Sequence, residues 1–248
     1  MMSEALHIVI PAYNEGENIT RTLAAIEDRV MTPHRVLIVY DFDGDSTVPA
    51  VDAFVQERRA DHVSLVKNRY GAGALNAIRT GFDAVEGGVV LVTMADTSDD
   101  LSVVDAMMHH IDEGYDIVCG SRYMKGGGQT GGPRTKRFLS RAAGVSFHAL
   151  TGIPTHDITN SFKMYRKSVL DSIRIESSRG FEIGMEVTIK AFLRGYRVTE
   201  VPSCWRDRVA GESRFKLMKW LPAYLRWYVH GLKGRFLGAM RSPRSKAT

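Results

Sequence analysis

Five short apolar runs punctuate the first half of the chain at near-even spacing, and helical patterns fill the gaps between them. The runs are Leu6–Ile10, Val36–Val39, Val63–Lys67, Val89–Ala95 and Ile117–Ser121, all rich in β-branched residues. Runs apolar on both faces are what strands buried in a parallel sheet look like. Amphipathic stretches at Gly16–Val30, Pro49–Arg59, Ala74–Val85 and Leu101–Glu113 alternate with them. Such alternation predicts βαβ units: an α/β fold with a mostly parallel sheet and helices on both faces. The second half is less regular, with helices expected near Lys136–Leu150 and Ile183–Arg194 and strands near Ser161–Tyr165 and Arg197–Val201.

In an open parallel sheet, ligands bind beyond the carboxyl ends of the strands, so the residues after each run are the ones to read. They are Pro11-Ala12-Tyr13-Asn14-Glu15, then Asp41-Phe42-Asp43-Gly44-Asp45, then Asn68 to Gly73, then Asp96-Thr97-Ser98-Asp99-Asp100, then Ser121-Arg122-Tyr123 and the Gly-rich run to Pro133. The carboxylates after strands two and four suit a hard divalent cation, which favours carboxylate oxygen and bridges to substrate phosphates. The alternative for Asp99 and Asp100 is to cap the helix that starts near Leu101. Gly71-Ala72-Gly73 fits a phosphate-approaching turn or a plain tight connection. Arg122 opens the Gly-rich run on the ligand face; Arg206, Arg208 and Arg214 surround a Gly-containing segment, as phosphate-binding arginines do, or as a solvated charge run does. Glu182 and Glu186 share a helix face; each is a candidate general base or a helix N-terminal carboxylate. His148 and His156 lack metal-ligand spacing and read as structural.

Composition adds a charge asymmetry. The 248 residues carry a formal net charge of +5, yet no Asp or Glu follows Glu212, and nine Lys or Arg do; before that point 24 basic residues face 28 acidic ones. This divides the chain into a domain at 1–213 and a basic tail at 214–248. Trp220, Tyr224, Trp227 and Tyr228 lie among the tail's cations, an interfacial signature that predicts contact with an anionic membrane surface; packing on the domain is the other reading. Nucleic acid is the less favoured partner for this basic tail. Cys119 and Cys204 form no metal or disulfide pattern, which fits a reduced, cytoplasmic setting. The N-terminal residues do not read as a signal peptide, and no run reaches the length of a membrane-spanning helix.

Taken in order, these segments resemble the family 2 glycosyltransferases of GT-A fold, and within them the polyprenyl- and dolichyl-phosphate sugar synthases. Ile8 to Glu15 resembles the family's opening strand and nucleotide loop, Asp41 to Thr47 the second nucleotide loop, and Asn68 to Asn76 the Gly-containing turn. Met94-Ala95-Asp96 stands where the family has Asp-x-Asp, Ser121-Arg122-Tyr123 and Asp157-Ile158-Thr159-Asn160-Ser161-Phe162 resemble the synthases' acceptor-side motifs, and Arg208 to Ser213 a closing loop. Tyr40 and Met94 replace family carboxylates, and Asn160 stands where Ser or Thr is common. The resemblance implies an inverting transfer from a nucleoside-diphosphate sugar, with Mg²⁺ or Mn²⁺ held by Asp96 and helped by Ser98 or Asp99. Pro11, Tyr13, Glu15, Asp41, Asp43, Gly73 and Asn76 would contact the nucleotide. A lipid-phosphate acceptor at the cytoplasmic membrane face needs a cationic clamp, assigned to Arg122 and Arg137; a hydroxyl acceptor needs a base, assigned to Glu182. A nucleotidyltransferase is a second class, but its strand-one loop usually carries a cation, and Pro11 to Glu15 has none. A non-catalytic binding module is a third, and it leaves the strand-end carboxylates unexplained.

Overall fold

A computed structural model describes residues 4–207 and 217–241. Strands β1 (Leu6–Ala12), β2 (His34–Tyr40), β3 (Val63–Lys67), β4 (Val89–Val92) and β5 (Ile117–Ser121) fall on the five apolar runs, joined by α1 (Gly16–Arg29), α2 (Thr47–Arg58), α3 (Ala74–Ala84) and α4 (Val104–Asp112). A short 3₁₀ turn, Leu101–Val103, precedes α4. The later elements are β6 (Gly128–Thr130), α5 (Arg134–Thr151), β7 (Lys163–Arg166), α6 (Lys167–Ser172), α7 (Glu182–Leu193), β8 (Val198–Pro202), β9 (Cys204–Arg206) and α8 (Leu217–Arg241).

Seven strands make one sheet in the order β3-β2-β1-β4-β7-β5-β8, and β6 pairs with β9 in a separate two-stranded ribbon. All neighbours in the large sheet are parallel except those of β7, which inserts antiparallel between β4 and β5. Alternation along each strand feeds two cores. Leu6, Ile8 and Ile10 join α1, α2 and α4 on one face, while Val9, Val90 and Val92 join α3 and α7 on the other. Period-two burial on both faces is the physical content of the apolar runs.

A third apolar cluster lies beside the sheet. Phe147 of α5, Met185 and Ile189 of α7 and Trp227 of α8 pack together there. Trp227 is 1% exposed, and its indole N–H donates to Ser177 Oγ at 3.0 Å. Tyr228 Oη lies 2.8 Å from Ser146 Oγ, and the Trp220 ring stacks on Phe181 at 5.5 Å. The interfacial reading of these tail aromatics is therefore corrected: Trp220, Trp227 and Tyr228 pack on the body, because α7 offers them an apolar groove. The expected domain boundary at 213/214 and the closing loop from Arg208 to Ser213 lie outside the described residues. No helix among the described residues is long and apolar enough to cross a membrane.

Candidate active site

The strand ends converge on a cavity of about 950 Å³. Its first wall comes from the loops after β1 and β2. Pro11, Tyr13, Glu15 and Asp41 line it. Asn14 adopts φ 53°, and its backbone N–H donates to Asp45 Oδ1 at 3.0 Å, while its own Oδ1 accepts from Ser46 N at 3.2 Å. These reciprocal bonds lock the two loops together. Asp41 receives Asn68 Nδ2 on one oxygen and the Gly73 N–H on the other, both at 2.8 Å. Gly73, at φ 120°, is in a region that L side chains rarely adopt, so the close approach of its backbone to Asp41 depends on glycine.

The second wall follows β4. Met94, Asp96 and Ser98 line the cavity. The Asp96 carboxylate accepts from Ser98 N at 3.1 Å across a turn in which Thr97 has φ 58°. Asp99 points elsewhere: its Oδ2 accepts from Thr93 Oγ1 at 2.9 Å and from Met94 N at 3.1 Å. Burial, and next the nearby Asp96 charge, push its carboxyl up to about 7 against those hydrogen bonds. Asp100 caps the turn that follows, accepting from Ser102 N at 3.3 Å.

The third wall follows β5. Arg122 lines the cavity and is gripped by Asp157, with Nε to Oδ2 at 2.6 Å and Nη2 to Oδ1 at 2.9 Å. Burial opposes its charge, but Asp157 outweighs burial and holds the guanidinium above its ordinary value. Lys136 in the first turn of α5 and Arg179 add two more cations, and Trp205, Asp207, Trp220, Leu221 and Tyr224 complete the surface. The Gly-rich run is tied down as the β6–β9 ribbon, and the Gly132 N–H donates to Asp207 Oδ2 at 3.1 Å.

Of the residues picked from sequence, Pro11, Tyr13, Glu15, Asp41, Gly73, Asp96, Ser98 and Arg122 meet at the cavity. Five do not. Asp43 is an exposed partner of Lys67, 2.7 Å away. Asn76 donates to Tyr70 O at 2.8 Å and braces the turn. Asp99 is turned into the sheet, as above. Arg137 is exposed off the cavity, because α5 begins at Arg134 and presents Lys136 instead. Glu182 is fully buried; its two oxygens accept the backbone N–H groups of Arg179 at 2.7 Å and Gly180 at 2.6 Å. From the first turn of α7 it holds the loop that carries Arg179, so the base assigned to it is withdrawn. Lys136, Arg179, Trp205 and Asp207 were missed; Lys136 adjoins the arginine that was chosen, and only helix phase separates the two.

Among the described residues, no three His, Cys, Asp or Glu side chains converge on one metal position. Asp96 lines the cavity from β4 and Asp207 from the end of β9. One or two carboxylates completed by substrate phosphates are the usual protein share of a Mg²⁺ site, so these residues fit such an ion bound together with a diphosphate.

A mostly parallel sheet with carboxylates and cations around a cavity at its strand ends is an α/β fold of GT-A type. The model of the glycosyl transferase family 2 matches residues 7–174, and the chain belongs to that family. The chain is 30% identical over 233 residues, 92% of its own length and 87% of the relative's, to a polyprenol monophosphomannose synthase of Mycolicibacterium smegmatis. It is 29% identical to a dolichol-phosphate mannosyltransferase of Pyrococcus furiosus, covering 92% of this chain and 68% of that protein. Its fold matches glucosyl-3-phosphoglycerate synthase of Mycobacterium tuberculosis, solved with Mn²⁺, uridine diphosphate and product, at a TM-score of 0.67 and 17% identity over 94% of this chain and 80% of that one.

Proposed function

We propose that this family 2 glycosyltransferase moves a sugar, with inversion, from a nucleoside-diphosphate sugar to a polyprenyl phosphate at the cytoplasmic face of a membrane. The observation that carries the reading is the make-up of the cavity lining. Asp41 and Asp96 line it together with Arg122, Lys136 and Arg179 and with the apolar Leu139, Trp220 and Leu221. Cations beside apolar side chains match a phosphate on an apolar chain. Lys136 also sits in the first turn of α5, where backbone N–H groups favour an anion. The names of the two relatives support the same acceptor class.

In this reading an acceptor phosphate oxygen attacks the anomeric carbon from the face opposite the nucleotide. The bond from that carbon to the diphosphate breaks, and its electron pair leaves with the nucleoside diphosphate. The acceptor is already anionic, since a phosphate monoester's second pKa is about 6, so no residue has to remove a proton. The buried Glu182 carboxylate is thus no loss to the chemistry. Arg122, Lys136 and Arg179 orient the acceptor by charge-assisted hydrogen bonds. Asp96 and Asp207 would hold Mg²⁺ or Mn²⁺, and that ion would supply stabilisation of negative charge on the leaving diphosphate.

The test is an assay with labelled nucleotide sugars, a mannose donor first, together with Mn²⁺ and a polyprenyl phosphate. Label should enter the organic phase as a glycosyl phosphate of the lipid. Label that stays aqueous with every donor overturns the proposal, as does pyrophosphate release from a nucleoside triphosphate.

A further inference from the structure

We infer that Ser161, in the turn that leads into β7, is the hydrogen-bond partner of a hydroxyl on the donor sugar and so helps to set which nucleotide sugar the cavity accepts. This role rests on the transfer proposed above, and the order of the strands locates it. Across the large sheet the neighbours run β2-β1-β4-β7-β5. The loops after β2 and β1 bring Asp41, Tyr13 and Glu15 to the cavity, the loop after β4 brings Asp96, and the residue after β5 is Arg122. An inverting displacement puts the sugar between the leaving diphosphate and the attacking phosphate, with the reacting atoms in line. The strand between β4 and β5 is β7. Because β7 runs antiparallel to both, the residues it presents at this end of the sheet precede the strand, and Thr159, Asn160 and Ser161 line the cavity there.

Of those three residues, Ser161 alone has its polar group uncommitted. The Thr159 hydroxyl donates to Asp157 Oδ1 at 3.4 Å. Asn160 Nδ2 donates to Gly120 O at 2.8 Å, and its Oδ1 accepts from Phe162 N at 3.4 Å. No partner for the Ser161 hydroxyl is found among the described residues. Turning inward gains it nothing. Beneath it lies a void of about 10 Å³, lined mainly by Ile78, Phe82, Val92, Tyr165 and Ile183, and the Tyr165 hydroxyl is bonded to Thr188. Such walls give a water no set of polar partners. The hydroxyl is satisfied only from the cavity side. Register adds its neighbour: Lys163 pairs with Val92 of β4, and two residues out from that pair, on the same sheet face, come Ser161 and Met94. Met94 also lines the cavity, but a thioether donates nothing and accepts weakly. A sugar hydroxyl that reaches this face therefore finds its partner in Ser161.

The experiment measures binding of guanosine-diphosphate mannose and uridine-diphosphate glucose to the full chain by calorimetry with Mn²⁺, each beside its bare nucleoside diphosphate. The tighter donor is then compared with its monodeoxy analogues. In the wild type, the one analogue that lacks the hydroxyl met by Ser161 should bind about tenfold more weakly, the worth of a neutral hydrogen bond. Ser161→Ala should bind the intact donor about tenfold more weakly and leave that analogue and the nucleoside diphosphate within about twofold. The KM for a water-soluble prenyl phosphate should stay in place. Only one oxygen leaves the cavity wall, so Tm should not move, and Ser161→Gly should repeat the pattern as a second loss of the same hydroxyl. A variant that binds every donor as the wild type does overturns the inference. So does an equal loss with every analogue, or a wild type that binds every analogue like the parent. If the donor pattern appears while no prenyl phosphate is glycosylated, Ser161 keeps its donor-side role and the acceptor assignment falls.

Discussion

Asp157 holds Arg122 three times: through Nε at 2.6 Å, through Nη2 at 2.9 Å and through the Arg122 backbone N–H at 3.0 Å. Asp157 is fully buried, and the Arg122 side chain is only 12% exposed. Removing one member of a buried pair leaves the other charge uncompensated, at a cost of about 3–5 kcal/mol. Asp157→Asn should therefore lower Tm by about 10 °C, read by calorimetry, and should cut transfer because Arg122 loses its aim. An unchanged Tm would show that the pair is not what fixes this wall.

Lys136 and Arg137 are adjacent in sequence and differ in what they face. Lys136 lines the cavity, and Arg137 does not. Lys136→Gln should raise the KM for a water-soluble prenyl phosphate on the order of tenfold, the worth of a charge-assisted contact, while leaving the KM for the nucleotide sugar in place. Arg137→Gln should leave both within about twofold, as exposed charges generally do. The opposite ranking would restore the clamp first assigned to Arg137.

The contrast shows where sequence reasoning stops. Strands are legible because burial on both faces leaves its mark residue by residue, as in Leu6 to Ile10. Residues at strand ends are legible because the topology puts them all on one side. The antiparallel entry of β7 leaves no such mark: Lys163–Arg166 is as short as β4 and mostly buried like it, and its direction depends on a chain path set elsewhere. Helix phase is equally hidden. Whether Lys136 or Arg137 meets the cavity depends on which face of α5 packs inward, the face that carries Gly144, Phe147 and Thr151; at Gly144 a Cβ would lie 2.1 Å from the His156 carbonyl oxygen. The tail aromatics could serve a membrane or a core, and only the groove on α7 decides between them.

Glu182 offers a clean separation of structure from chemistry. Both of its oxygens accept backbone N–H groups, from Arg179 and Gly180, and the side chain is fully buried. Glu182→Gln keeps one acceptor oxygen and presents an NH₂ to the other donor, so stability should fall by about 1–3 kcal/mol. The rate should fall far less than the 10²–10⁴-fold typical of a lost general base, and the pH–rate profile should keep its shape. Loss of an acidic limb in that profile, with the fold intact, would return Glu182 to the mechanism.

Lys163 is the least expected residue near the site. It is fully buried in β7, and its Nζ donates to Ile158 O at 2.9 Å and also to Asn160 O. It thus fastens from beneath the turn that carries Asp157 and lines the cavity. Burial lowers its pKa from the ordinary 10.5, with the Cys119 and Asp157 charges pulling the other way. A lysine whose folded pKa is depressed holds its proton less well in the native state than in the unfolded chain. Between the two values the unfolded state binds more protons, so the lysine's contribution to stability rises as pH climbs towards 10.5. Lys163→Met removes that contribution and leaves two carbonyls without their donor. The variant should be less stable than the wild type at neutral pH, by urea denaturation, and the gap should widen as pH is raised towards the ordinary lysine value. A gap that stays constant with pH would mean that Lys163 keeps its proton as firmly in the folded protein as in the unfolded chain.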